Sequence, residues 1–365
     1  MPKIMVNLEA LAHNAWLVGL VLKKYGLAGL PVLKGVASHP VLTDEVMRAG
    51  FNRLGFAEIE EPFLFSPDHP TSREGRVLIQ LASPSKATRV VEVFKRSFQS
   101  MPESLEAVAG AAVGLGLEHE VIIMVDLGDN REGLPPEDVG QLLDLALGLP
   151  GLKTVGFGVS LACLGNKLPT FSDLEKIAFL TDLFRDRGVE QPVVSLGGSV
   201  FWNFLSQIPS GLATEIRLGD PFLLGRDIYR DQPLAEGSFR TDVCFFSAEV
   251  VEVKATPVNG AISPPAGCVD ASGGRRTRAL CEMGRFHTSL SSASANLDHL
   301  SCERPGVVVV GLTAGYVAVD VTDCPVPVRV GDCLKFHPGY WAIAQAFRNP
   351  LVQLEIRGES RARQV

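Results

Sequence analysis

The chain has 365 residues, of which 46% are hydrophobic and 21% charged, so it can bury a large core and is not intrinsically disordered. Its net charge is −7, and its lysines and arginines are scattered, which argues against a nucleic-acid-binding surface. The amino terminus lacks the apolar core of a signal peptide, and the most apolar run, residues 305–321, is interrupted by Gly311 and Gly315. We therefore expect a cytoplasmic protein with no membrane and no nucleic-acid partner.

The cysteines and histidines give no sign of a metal site. The seven cysteines form an odd set without a Cys-x-x-Cys pair, and the seven histidines are dispersed along the chain. We therefore predict no metal ion and expect the thiols to be reduced.

Helix and strand patterns alternate from residue 8 to residue 217. Helices are predicted over 8–24, 41–49, 87–95, 103–115, 135–147 and from a capping box formed by Ser172 and Glu175 to Gly188. Strands, most of them apolar runs, are predicted at 30–34, 54–56, 77–81, 97–99, 121–125, 154–159, 193–196 and 214–217.

Eight apolar strands with helices between most of them indicate an α/β fold, an eight-stranded β/α (TIM-type) barrel. An open doubly wound sheet is the alternative, but no Gly-x-Gly-x-x-Gly motif follows the first strand. After Tyr229 the helical period largely disappears, and short β-branched runs with Gly, Pro and Ser turns predict a C-terminal all-β domain. The expected domains are 8–230 and 231–365 with 1–7, and a mobile loop is expected within 256–305.

Lys34 ends the first apolar strand and is followed at once by Gly35. A lysine is rarely buried, and an apolar pocket lowers its pKa towards Schiff-base chemistry. The alternative is a lysine at a strand end whose amine simply reaches water.

Small residues follow the last two barrel strands, with Gly197, Gly198 and Ser199 after the seventh and Gly219 and Asp220 after the eighth. In such barrels these two loops commonly form a phosphate site, although glycine there is also ordinary turn chemistry. An amine at one strand end and a phosphate site across the mouth together suggest pyridoxal phosphate.

Several segments resemble the alanine-racemase type of protein. Residues 7–14 resemble the opening of that family, and Lys34 falls where its members carry the cofactor lysine. Three segments resemble the ornithine-racemase branch more closely, namely 125–133, 158–165 and 216–226. Residues 319–323 and 330–332 resemble the β domain of both branches.

The resemblance implies a fold-type III pyridoxal 5'-phosphate enzyme that assembles as a homodimer, with each barrel mouth facing the partner's β domain. It implies that Lys34 forms the internal aldimine and that Arg217 faces the pyridine nitrogen. Arg131 would lie near the phenolic oxygen of the cofactor.

The same resemblance implies that Ser199 and the amides of Gly219 and Asp220 bind the phosphate. The sequence also departs from the family. Residues 270–273 offer no tyrosine where alanine racemases place the opposing base, and Ser38 replaces another tyrosine. Tyr316 follows Gly315, where relatives carry an acid, so Tyr316 is our candidate for the second catalytic group.

The predicted function is racemisation or epimerisation of a free amino acid, with a basic one such as ornithine suggested by the branch resemblance. One alternative is a pyridoxal-phosphate-binding protein without turnover. Another is a fold-type III lyase, such as a metal-assisted aldolase or dehydratase, which the lack of a His-x-Cys pair near the carboxyl terminus disfavours.

Overall fold

The structure is a computed structural model that contains two eight-stranded sheets. It describes residues 1–227, 232–257, 275–290 and 299–358. Within these ranges, no helix is both long and apolar enough to cross a membrane.

The first sheet is entirely parallel and nearly closed. The strands are β2 (Ala28–Pro31), β3 (Leu54–Phe56), β4 (Arg76–Leu78), β5 (Arg96–Gln99), β6 (His119–Val125), β7 (Leu152–Ser160), β8 (Val193–Gly197) and β9 (Glu215–Leu218). Their order in the sheet is β2, β9, β8, β7, β6, β5, β4, β3. An isolated bridge from Val32 to Gly55 joins the ends of the two outer strands. The predicted barrel is confirmed, and an open sheet is not formed.

Helices connect most of these strands, as β/α topology requires. They are α1 (Leu8–Lys24), α2 (Pro40–Arg48), α3 (Ala87–Val93), α4 (Pro102–Leu115), α5 (Val139–Gly148), α6 (Phe171–Asp186) and α7 (Asp220–Leu223).

The predicted start of α6 is wrong by two residues. The capping box is Thr170 with Asp173, not Ser172 with Glu175, because the Thr170 hydroxyl accepts from the Asp173 amide (3.3 Å) and the Asp173 carboxylate accepts from the Thr170 amide (2.9 Å). Lys167 also donates to Asp173 (2.5 Å), which favours this aspartate over Glu175 as the capping acid.

The second sheet is mostly antiparallel and confirms the predicted C-terminal all-β fold. Its strands are β1 (Lys3–Asn7), β12 (Cys244–Pro257), β13 (Arg275–Cys281), β14 (Leu300–Cys302), β15 (Val308–Leu312), β16 (Val317–Asp320), β17 (Cys333–Pro338) and β18 (Gln353–Arg357). Their order is β14, β17, β12, β13, β16, β15, and β1 pairs with β12 and β18. A separate two-stranded sheet is formed by β10 (Arg226–Asp227) and β11 (Gln232–Pro233), and two short helices are α8 (Arg285–Thr288) and α9 (Tyr340–Ala346). The domain limits 8–230 and 231–365 with 1–7 stay a prediction.

The mobile loop expected within 256–305 does not include Arg275 and Arg276. Arg275 and Arg276 begin β13, because Arg276 donates to Asp320 (2.6 Å) on the paired strand β16 and to Asp323 (2.7 Å). Residues 258–274 and 291–298 lie outside the described part of the chain.

The C-terminal part of the chain contacts the barrel beside Lys34. Arg348, just after α9, donates to the Lys34 carbonyl oxygen (2.8 Å). The ring of Tyr340 lies so close to Gly35 that a Cβ there would be 3.1 Å from Cε2 of the tyrosine. One side of the barrel mouth is therefore formed by α9 of the same chain.

Candidate active site

A cavity of about 640 Å³ opens at the carboxyl ends of the barrel strands. This volume lies within the range of roughly 300–1,000 Å³ that is usual for small-molecule sites. Most of the predicted site residues line it, namely Lys34, Arg131, Ser199, Arg217, Gly219 and Asp220. The structure therefore brings together six of the seven residues that the sequence singled out.

Lys34 does not end a strand but follows one. β2 stops at Pro31, Val32 bridges to Gly55, and Lys34 opens a single 3₁₀ turn that ends at Val36. The side chain is half-buried and lines the cavity. The next residues, Ala37 and Ser38, both have φ of +47°, a left-handed conformation that costs free energy and is often found at functional sites.

Arg217 is buried in the floor of the cavity, with 6% of its surface exposed. Its guanidinium donates to four oxygens, those of the Ser195 carbonyl (2.9 Å), Ser195 hydroxyl (2.8 Å), Val159 carbonyl (2.8 Å) and Ser160 hydroxyl (3.2 Å). It also lies over the ring of Phe98, 4.7 Å from the centroid. Burial lowers the pKa of Arg217 to about 10, so the group is still a cation at neutral pH.

Two glycines are required beside Arg217, because a side chain on either one would crowd its guanidinium. A Cβ on Gly197 would lie 1.9 Å from Nη2 of Arg217, and a Cβ on Gly158 would lie 3.1 Å from Nη1. Gly197 was predicted to serve the phosphate loop, whereas its position in the structure makes room for the guanidinium. At Gly198 the backbone itself requires glycine, because its φ of +106° is a conformation that other residues rarely adopt.

The loops after β8 and β9 meet at the cavity. The Asp220 amide donates to the Ser199 hydroxyl (3.3 Å), and Gly219 approaches β2 so closely that a Cβ would lie 2.8 Å from the Val32 carbonyl oxygen. A hydroxyl, a helix amino terminus and side-chain-free backbone make this a concavity suited to an anion.

Asp220 also brings a carboxyl group to this concavity. The side chain is buried, and burial raises the pKa of Asp220 to about 6, against the smaller effects of Ser199 and Lys34. The carboxyl is therefore neutral below about pH 6 and ionised above it.

Arg131 lies at the cavity rim beside Glu132, to which it donates (2.6 Å). The loop that carries it is fixed by two buried or half-buried aspartates. Asp126 accepts from the amides of the residues that follow it, including Asp129 (2.8 Å). Asp129 accepts from the Cys163 amide (3.0 Å), so the loops after β6 and β7 are joined.

Tyr316 is the predicted site residue that the structure does not bring into the cavity. It is 45% exposed in the turn between β15 and β16 and does not line the cavity of its own chain. Its catalytic role stays a prediction. Residues 270–273, where the family tyrosine was sought, lie outside the described part of the chain.

Several other residues that line the cavity were not predicted from the sequence, among them Glu58, Gln80, Tyr340 and Trp341. No sequence signal favours Tyr340 over Tyr316 as a cavity residue. Burial raises the pKa of Tyr340 above its ordinary value, so it is a neutral hydrogen-bonding group. Glu58 had a weak signal, since it lies two residues after an apolar barrel strand.

Comparisons with known proteins identify the family. The alanine racemase N-terminal domain family matches residues 6–220, which is more than half of the chain. The chain is 28% identical to the ornithine racemase of Acetoanaerobium sticklandii, over 97% of this chain and 99% of that protein. It is 26% identical to the lysine racemase of Thermotoga maritima, over 96% and 97%. An alanine racemase structure from Streptomyces coelicolor superposes with a TM-score of 0.75 at 20% identity, covering 98% of each chain.

The chain therefore belongs to the alanine racemase N-terminal domain family. Members of this family depend on pyridoxal phosphate, which is the expected cofactor. The residues present fit that cofactor, because the cavity combines a half-buried lysine, a buried cation and a concavity formed by the Ser199 hydroxyl and the Asp220 amide.

The ionisation of Asp220 predicts a pH dependence of cofactor binding. Above about pH 6 the carboxylate opposes a phosphate anion in the same concavity, so affinity for pyridoxal phosphate should fall as pH rises through this value. Asp220→Asn should match the natural protein at pH 5 and bind at least about tenfold more tightly at pH 8. Equilibrium dialysis across this range measures both affinities. The second ionisation of the phosphate, near pH 6, acts in the same direction, because the Asp220 carboxylate repels a dianion more strongly than a monoanion. A ratio that does not change with pH would contradict the prediction.

Proposed function

We propose that the protein is a pyridoxal-phosphate-dependent racemase of a free amino acid, with a basic amino acid such as ornithine or lysine as substrate. The observation that carries this proposal is the single cavity that contains Lys34, Arg217 and the loops of Ser199 and Gly219. The near full-length similarity to an ornithine and a lysine racemase supports the basic substrate.

Lys34 is the group that holds the cofactor and then moves a proton at the substrate α-carbon. When bound, pyridoxal phosphate withdraws electrons from that carbon, so its hydrogen can leave as a proton. Lys34 has the required position, since it lines the cavity and its main-chain carbonyl accepts from Arg348. Its proton transfer acts on one face of the α-carbon only.

Arg217 restricts the reaction to proton transfer. A guanidinium with a pKa of about 10 gives up no proton at neutral pH, so it cannot protonate a ring nitrogen that it faces. The four hydrogen bonds to the barrel prevent the group from turning away. Negative charge on the α-carbon is then stabilised less, which favours quick return of the proton over side reactions.

Ser199, with the amides of Gly219 and Asp220, holds the phosphate in this proposal. Arg131 binds beside the phenolic oxygen, at the rim where it pairs with Glu132. The Tyr340 hydroxyl is a further neutral donor in the same cavity.

Racemisation also needs a group on the second face of the substrate, and we assign this role to Tyr316 of a second copy of the chain. In its own chain Tyr316 is 45% exposed and away from the cavity, as a residue that serves a partner would be. Trp341, which lines the cavity and is 53% exposed, gives the mouth an apolar surface that a partner would cover. We therefore propose a homodimer. The six cysteines within the described ranges are free, which supports a cytoplasmic location.

One prediction concerns Lys34. Borohydride reduction of the holoenzyme followed by peptide mapping should place the pyridoxyl group on Lys34, and chiral chromatography should show that L-ornithine or L-lysine is converted to the D form. Lys34→Arg should abolish labelling and reduce racemisation by more than about a hundredfold, whereas exposed Lys23→Arg should change neither.

Label on any other lysine would contradict the site. Label on Lys34 without racemisation of any amino acid would instead identify a cofactor-binding protein without turnover.

A further prediction concerns Tyr316. Tyr316→Phe should slow exchange of the α-hydrogen with heavy water by about a hundredfold to ten-thousandfold for one enantiomer of the substrate, because only one face loses its proton-transfer group. Cofactor binding should be unchanged. The control is Tyr25→Phe. Tyr25 follows the last residue of α1, and its hydroxyl donates to Glu236. This variant should leave the exchange rates of both enantiomers unchanged. Small and equal effects on both enantiomers would return Tyr316 to a structural role.

A further inference from the structure

We propose that Glu58 is the residue that selects a basic substrate, by binding the ammonium group at the end of its side chain. Gln80 holds the Glu58 carboxylate in place. This inference rests on the proposed function and goes beyond it by assigning a specificity-determining residue.

The order of strands places Glu58 on the correct side of Lys34. β2, which leads to Lys34, lies between β9 and β3, because it pairs with β9 and reaches β3 through the bridge from Val32 to Gly55. The anion-binding concavity follows β8 and β9, whereas Glu58 follows β3 and Gln80 follows β4. A substrate joined near the Lys34 amine, with phosphate on one side, therefore has Glu58 on the opposite side.

The cavity wall in this direction is suited to a chain of methylene groups. Four apolar side chains line it on the loops after β2, β3 and β4, namely Val32, Ala57, Ile79 and Leu81. A lysine or ornithine side chain has the same character, an apolar stem with a cation at its end. The apolar wall would contact the methylene stem of such a substrate, and Glu58 would bind the ammonium at its end.

Glu58 is the cavity carboxylate that is available to a substrate cation. Within the described ranges, no lysine or arginine nitrogen lies within ion-pair distance of it. The other two acids in the cavity are engaged, Glu132 with Arg131 and Asp220 in the concavity at Ser199. An ammonium group entering from solvent would therefore find its counter-charge at Glu58.

The backbone at Glu58 is fixed, as a specificity-determining residue requires. Buried Glu61 accepts from the amides of Ala57 (2.8 Å) and Glu58 (3.3 Å), and the Ser38 hydroxyl donates to the same carboxylate (2.9 Å). The loops after β2 and β3 are thus joined through Glu61. In the amide orientation that satisfies both of its polar atoms, Gln80 donates to the Glu58 carboxylate (3.3 Å) and to the Ala57 carbonyl.

The test compares substrates that differ only in the terminal ammonium. Norleucine has the carbon chain of lysine without the second amine, and hexanoate stands in the same relation to 6-aminohexanoate. Glu58→Gln should lower kcat/KM for lysine and ornithine by about tenfold or more, because a charge-assisted hydrogen bond is lost, and should spare norleucine. Calorimetry on the holoenzyme should show the same loss for 6-aminohexanoate and no change for hexanoate.

Glu60→Gln is the matched control. Glu60 is two residues further on and exposed like Glu58, but Arg89 engages it through two hydrogen bonds of 2.9 Å, and it does not line the cavity. This variant should match the natural protein on every ligand.

Two outcomes would overturn the inference in distinguishable ways. If the natural protein racemises norleucine but no basic amino acid, the basic-substrate part of the proposed function fails and the inference fails with it. If the natural protein racemises lysine, but Glu58→Gln lowers lysine and norleucine equally or lowers neither, the inference alone is wrong.

Discussion

A guanidinium buried at the floor of the barrel mouth is the constraint on which the rest of the site depends. Burying a charge is costly unless its hydrogen bonds are satisfied, and Arg217 meets this requirement with four oxygens and the face of Phe98. Two strands must supply those oxygens at the correct depth. Gly158 and Gly197 on the same strands must then lack side chains, since a Cβ on either one would contact the guanidinium.

This arrangement continues into the barrel. The Ser195 hydroxyl, which accepts from Arg217, donates to Glu215 (2.5 Å). Glu215 in turn lies 3.6 Å from Arg96, which pairs with Glu120 (2.7 Å). A line of alternating charges therefore connects the floor of the cavity to the interior of the sheet, and it explains why polar side chains occur in strands that are otherwise apolar. The same line restricts movement of the Arg217 guanidinium.

Much of this was predictable from the sequence because parallel barrel strands are buried on both faces and so appear as apolar runs. Their order then placed Lys34, Ser199 and Arg217 at one end of the barrel. The C-terminal sheet was less predictable, because a polar residue such as Arg276 in β13 is satisfied by an ion pair with Asp320 on the neighbouring strand β16, which no local pattern reveals. Tyr340 was missed for a similar reason, since it reaches the cavity by packing against Gly35, which is distant in sequence.

The central proposal is that Arg217 faces the pyridine nitrogen of the cofactor and leaves it without a proton. The most direct measurement is the ¹⁵N NMR chemical shift of the ring nitrogen in holoenzyme reconstituted with ¹⁵N-labelled pyridoxal phosphate, recorded at neutral pH. A shift in the range of a free, unprotonated pyridine that accepts a hydrogen bond is the predicted result. A shift in the range of a pyridinium ion would contradict the account, because a cation whose pKa is about 10 would not then be the neighbour of that nitrogen.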